Sequence, residues 1–249
     1  MPSTVFDSAI YRDFFGTPAM RAVWSDEALV ARYVETEVAL ALAEARVGVI
    51  PDDAAKEIAA KADAAKMDLA VLKSETDIVG YPIIGIVHQM AKQCGEAGRY
   101  VHWGATTQDI MDTATVLQLR AALDIIGADL DAVAGALESL ASKHRDTVMA
   151  GRTHMQHALP VTFGYKAAVW LSSVRRDKAR LAMLRDRLLV VQFSGAAGTL
   201  ASLGDKGLEV QSALADELGL AVPDITWHAA RDTIAEAGSA LAILAGGLS

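Results

Sequence analysis

Two short segments concentrate the side chains of this sequence that can grip anions and move protons. Residues 102–113 read His-Trp-Gly-Ala-Thr-Thr-Gln-Asp-Ile-Met-Asp-Thr and set the adjacent hydroxyls of Thr106 and Thr107 just before a long run of helical periodicity. A helix N-terminus offers free backbone N–H groups and the positive end of the helix dipole, so two hydroxyls there make a receptor for a carboxylate. Thr106 or Thr107 can equally do no more than cap the helix, a common use of threonine. Residues 151–160 read Gly-Arg-Thr-His-Met-Gln-His-Ala-Leu-Pro, bringing together a cation (Arg152), a hydroxyl (Thr153), two imidazoles (His154 and His157) and an amide (Gln156). An imidazole exchanges protons near neutral pH, and a loop held between two long helices fixes where it does so. Isolated histidines are more often structural; the His-x-x-His spacing beside Arg152 weighs toward chemistry. His88 lies on a helix and His144 near a helix end that favours a cation, and both read as structural.

Other chemistries lack their residues. There is no glycine-rich dinucleotide or phosphate loop, no HExxH, and no glutamate followed three residues later by histidine. One cysteine, Cys94, excludes an internal disulfide, and with only scattered histidines it leaves no structural zinc spacing. A net charge of −8 gives nucleic-acid binding no electrostatic support. The longest stretch free of Asp, Glu, Lys and Arg, residues 188–204, has 17 residues, including three glycines. A membrane-spanning helix needs roughly 20 apolar ones. Asp7, Arg12 and Asp13 interrupt the place of a signal peptide, so a cytoplasmic protein is expected.

The elements that must hold the two segments are helical. Apolar residues make up 52% of the 249 residues and aromatics only 6%, a composition suited to close helix packing. Ser25 is placed to cap a helix over 26–47, with Val30, Val34, Val38 and Leu42 on one stripe, stopped by Gly48. Pro51 opens a second helix to about 66, and Pro82 a third ending near 95. Residues 108–143 contain no proline and repeat leucine, isoleucine and valine at helical spacing, predicting a rod on the order of 50 Å. A second long helix is expected from just after Pro160 to about 189, with a polar connector between the two rods. Shorter helices over 206–218 and from about 230 follow. No convincing strand periodicity exists, so the fold class is all-α: an N-terminal helical domain over 1–106 and a central long-helix bundle over 107–249.

Taken together, these segments resemble the fumarase/aspartase superfamily. Residues 102–113 are similar to its first signature and residues 151–160 to its second, of the form GRTHxQ. Residues 15–20 (FGTPAM), 192–199 (QFSGAAGT) and 227–232 (Trp-His-x-x-Arg-Asp) add further matches in the expected order. Within the superfamily the wording is nearest to 3-carboxy-cis,cis-muconate cycloisomerase, then adenylosuccinate lyase. The resemblance implies an all-α homotetramer whose long helices form a shared core, with each active site assembled from three subunits and no cofactor. It implies elimination from a small anionic polycarboxylate of the succinate type, through an aci-carboxylate, with release of fumarate. Thr106 and Thr107 would then bind a substrate carboxylate, and His154 would give a proton to the leaving group with Thr153 and Gln156 beside it. Arg231 would bind a further anionic group, and Arg152 and His102 complete the candidate substrate-binding residues.

Two departures from the family pattern shape the expectation. Bacterial muconate cycloisomerases tend to carry tryptophan where this sequence has His154, whereas fumarate-releasing lyases carry the histidine, which favours elimination over lactone formation. The third signature, a GSSxMPxKxN loop bearing the base serine, would follow the helix that ends at Ser249, so a C-terminally truncated sequence is expected. The alternatives are a lactonising cycloisomerase of the same superfamily, a non-catalytic helical scaffold descended from such an enzyme, and a plain helical module binding a metal or cofactor.

Overall fold

Capping chemistry starts the chain's first two helices, the second of them where the sequence places it. A computed structural model of the protein describes residues 4–6 and 8–249. Thr17 Oγ1 accepts the Met20 N–H to open α1 (Pro18–Val23), and Ser25 Oγ accepts the Ala28 N–H to open α2 (Asp26–Val47). Gly48, with φ of 76°, closes α2 in the left-handed conformation. Then come α3 (Asp52–Lys61), a 3-10 turn at Ala64–Lys66, α4 (Leu69–Val79), α5 (Ile83–Cys94) and a 3-10 helix at Gly95–Tyr100. The long helix α6 (Thr107–Lys143) has 37 residues and so spans about 55 Å. After it come β1 (Val148–Thr153), β2 (Gln156–Thr162), α7 (Phe163–Leu188), a 3-10 helix at Ala201–Lys206, α8 (Gly207–Leu218) and α9 (Asp232–Leu248).

Two expectations need correction. The helix expected from Pro51 to 66 ends at Lys61, because Ala62 turns extended and Asp63 caps a separate 3-10 turn through the Ala65 N–H. The connector between the rods is not all-α: β1 and β2 form an antiparallel hairpin with Val148 opposite Thr162 and Thr153 opposite Gln156. Its register is irregular between Ala150 and Arg152, and most of its residues are exposed. With no buried face, neither strand carries the apolar–polar alternation by which strands are recognised. The molecule is therefore mainly helical with one small two-stranded sheet. Among the described residues no helix is long and apolar enough to cross a membrane.

The chain divides into two compact units within α6. One comprises the residues up to Ala122 with Leu188–Arg231; the other comprises Leu123–Arg187 with Asp232–Ser249. In the first, α2 packs against α8 and α3, and the core gathers Leu40, Ile58, Ile86, Met90, Leu117 and Phe193. The first turns of α6 are drawn into this core at Ile110, Ala114 and Leu117. In the second unit, Asp124 pairs with Arg185, Asp131 with Lys178, and Glu138 with Arg175. These partners run in opposite order along the chain, so the rest of α6 and α7 lie antiparallel. The corner between them closes at Gly164, whose N–H donates to the His144 carbonyl at 2.9 Å.

Candidate active site

In the first unit, the mouth of α6 is organised by an acid rather than by its threonines. Asp109, in the first turn, is fully buried, and its Oδ2 accepts the backbone N–H of Thr106 at 3.0 Å. An acidic side chain reaching back to the residue before the helix does the work of a cap. The hydroxyls of the half-buried Thr106 and Thr107 make no hydrogen bond among the described residues. They stand beside a helix N-terminus with their hydrogen-bonding capacity unspent.

Asp109 also ties in the loop that follows α7. Its carboxylate accepts the backbone N–H groups of Ser194 at 3.0 Å and Gly195 at 2.9 Å. Gly195 has a φ of 71°, and a Cβ on it would lie 3.3 Å from the Gly104 carbonyl oxygen. The backbone thus approaches closely at a position where only glycine is unstrained. His228 Nε2 lies 2.7 Å from Asp109 Oδ1; because a carboxylate only accepts, that nitrogen carries the proton. Gln192 donates to Ser194 Oγ and accepts the Trp227 N–H at 3.0 Å, locking the 192–195 and 226–228 segments together.

Arg231 lies at the end of this loop system and over the Trp227 ring, its guanidinium carbon 5.4 Å from the ring centroid. Two of its nitrogens donate to Asp112, at 2.7 and 3.0 Å. Asp112 is one turn further along α6, so this fork fixes the guanidinium against the helix while leaving its other N–H donors for an anion. Glu236, five residues after Arg231, is taken by Arg187 instead. On the opposite side of the signature, His102 Nδ1 lies 2.6 Å from Glu37 Oε1 of α2. Burial pushes the His102 imidazole down, but the Glu37 hydrogen bond and the charges of Glu37 and Asp109 outweigh it, so its pKa lies above the ordinary value.

The second segment belongs to the other unit. His154 and Met155 are the two-residue turn between β1 and β2, with Met155 in the left-handed region at a φ of 57°. Gln156 Nε2 donates to Thr153 Oγ1 at 3.3 Å across the turn, so these two candidates brace one another. Arg152, His154 and His157 are exposed, and their side chains make no hydrogen bond or ion pair among the described residues. The hairpin therefore carries an imidazole, a guanidinium and an amide at one tip. At its root, His144 Nδ1 lies 3.2 Å from Thr147 Oγ1 and the ring meets Phe163 edge-on, so His144 serves the corner.

Sequence reasoning passed over Glu37, Asp109, Asp112 and His228 as parts of the site. Asp109 was detectable from its spacing, three residues after Thr106 at the start of an apolar run. Glu37 stands out as an acid on the stripe that α2 buries, between Val34 and Leu40. Asp112 and His228 left no local signal, since their partners lie 119 residues away. Among the described residues no three His, Cys, Asp or Glu side chains converge as metal ligands.

The profile of a family described as lyase matches residues 15–249. An N-acetyl-S-(2-succino)cysteine lyase of Dickeya dadantii is 45% identical over 248 residues, covering 100% of this chain and 55% of the relative. A 3-carboxy-cis,cis-muconate cycloisomerase of Bradyrhizobium diazoefficiens is 48% identical, covering 96% of this chain and 54% of the relative. The crystal structure of a fumarate lyase from Mesorhizobium sp. BNC1 superposes with a TM-score of 0.88 at 58% identity, covering 92% of this chain and 54% of that one. The chain belongs to this lyase family, within the fumarase/aspartase superfamily. It spans about half the length of the curated relatives it matches.

Proposed function

We propose that this chain contributes to a fumarate-releasing lyase that cleaves a bond β to a carboxylate in a succinate-type polycarboxylate. The observation carrying this reading is the mouth of α6, where Asp109 does the capping and leaves Thr106 and Thr107 free to hold a carboxylate. Negative charge building on that carboxylate as the neighbouring carbon loses its proton would be met by two hydroxyls and the helix dipole. Arg231, pinned by Asp112, would take a second anionic group. His154 would protonate the departing atom, with Thr153, Gln156 and Arg152 at the same hairpin tip holding and charging its surroundings. The base serine that the resemblance implies has no counterpart within residues 1–249. The relative named for succinylated cysteine supports a succinyl substrate, and the lone buried Cys94 suits a cytoplasmic setting.

The assembly we propose is a homotetramer with composite sites, its long helices forming a shared core. The exposed apolar side chains Val133, Val169, Trp170, Met183 and Ile243 on α6, α7 and α9 support it, since a shared core of long helices would cover them. The test is spectrophotometric: with a succinylated amine or thiol as substrate, the ultraviolet absorbance of fumarate should rise. Replacing His154 with Asn or Gln should cut turnover by on the order of 10²–10⁴. Undiminished turnover removes His154 from the acid role. A second reading, lactonising cycloisomerase, is supported by the 48% identical relative of that name. Turnover of 3-carboxymuconate with no fumarate from any succinyl compound would favour it, and silence toward both would favour the scaffold reading.

A further inference from the structure

Helix α2 buries two acids on one face, Glu37 and Glu44, each at most 1% exposed. Seven residues apart, they lie two turns from one another. A buried carboxyl must either find a partner or stay neutral. Glu44 stays neutral: neither oxygen has a hydrogen bond among the described residues, and burial followed by the charge of Glu37 pushes its pKa up to about 9. Glu37 takes the other course and meets His102 Nδ1 at 2.6 Å.

The residue that makes this pair also has an uncommon backbone conformation. His102 has a φ of 64°, in the left-handed region that an L-residue adopts at a cost of about 1–3 kcal/mol. Such a conformation persists where its surroundings hold it, and here it sits four residues before Thr106. With Nδ1 engaged, Nε2 is the ring nitrogen left without a partner among the described residues. The charged groups facing the ring are Glu37 from α2 and Asp109 from α6, both acids. Burial works against the cationic form of His102, but the Glu37 hydrogen bond and the two acidic charges together outweigh it, in a chain whose net charge is −8.

We propose that Glu37 is a positioning residue that fixes His102 as an imidazolium, Nδ1–H toward its own carboxylate and Nε2–H toward the anion held at Thr106 and Thr107. This rests on the reading of the threonine pair as a carboxylate receptor. A histidine of ordinary pKa is mostly neutral above about pH 7, and a neutral ring free to rotate offers an anion neither a fixed charge nor a fixed donor. The buried acid supplies both constraints without touching the anion.

Fumarate binding by calorimetry and His102 ring resonances by NMR, from about pH 6 to about pH 9, test this in wild type, Glu37→Gln and Glu37→Asp. In wild type, affinity should fall as pH rises through the His102 titration, which lies above the ordinary value. In Glu37→Gln the titration should move down and neutral-pH affinity drop roughly tenfold, the gap narrowing in acid where the ring is protonated anyway. Glu37→Asp should keep the raised titration and part of the affinity. An unmoved titration in Glu37→Gln, or a loss of affinity equal at every pH, overturns the positioning role. Should Glu37→Gln fail to fold, a wild-type His102 titrating at or below the ordinary value overturns it alone. Thr107→Val reads the underlying receptor separately: if fumarate binding ignores it while Glu37→Gln still shifts the ring, the receptor falls, and the anion role of the pair with it.

Discussion

Single residues in this chain show how burial selects a charge state. Glu44 has a pKa of about 9 against 4.5 in the exposed chain, because desolvation comes first and Glu37 repels the second charge on the same face. Between those values the folded protein keeps a proton that the unfolded chain has released. Stability is therefore full below about pH 4.5 and lost progressively as pH rises toward about 9. By pH 7 the loss is on the order of 3 kcal/mol at about 1.4 kcal/mol per pH unit. Glu44→Gln removes the titration, so it should match wild type near pH 4 and exceed it increasingly toward pH 8 in urea unfolding. Parallel curves for the two proteins across that range would show that Glu44 ionises without penalty.

At the scale of elements, the corner from α6 into the hairpin and α7 is set by close backbone approach. A Cβ on Gly164 would lie 2.5 Å from the Ala141 carbonyl oxygen and 2.8 Å from the backbone of both His144 and Arg145. None of these atoms is the flexible end of a side chain, so Gly164→Ala must push the helices apart. A loss of about 1–3 kcal/mol is expected, read as a lowered thermal midpoint by circular dichroism. An unchanged midpoint would show that the corner has slack. The same corner marks the limit of what the sequence makes legible. Both rods could be read because their periodicity persists over many turns, and α2 because Ser25 and Gly48 bracket it. The hairpin could not, because its faces are wet and its pairing rests on main-chain hydrogen bonds common to every residue type. At the candidate site the threonines, His154 and Arg231 were visible as signatures. Of the acids behind them, Asp109 could be found as a cap from its spacing, but its reach to a loop some 85 residues away could not, and Asp112 looks like any other helix aspartate.

For the whole molecule, the exposure of the hairpin tip is the feature that bears on the proposed assembly. Met155 is 93% and Leu159 81% exposed, and the exposed His154 between the strands has nothing to hold its ring among the described residues. A proton donor loose in bulk water has no fixed distance to a leaving group and no advantage over the solvent. Under the proposed composite assembly, the threonine pair of one subunit and the His154 of another complete a single site. Complementation separates that arrangement from one in which each subunit supplies both groups. Thr107→Val and His154→Asn should each be nearly inactive alone. Unfolded together, mixed and refolded, the two variants should regain a clear fraction of wild-type fumarate release, because some sites draw the intact threonine from one parent and the intact histidine from the other. Sites built within one subunit would always carry one lesion, and mixing would recover nothing.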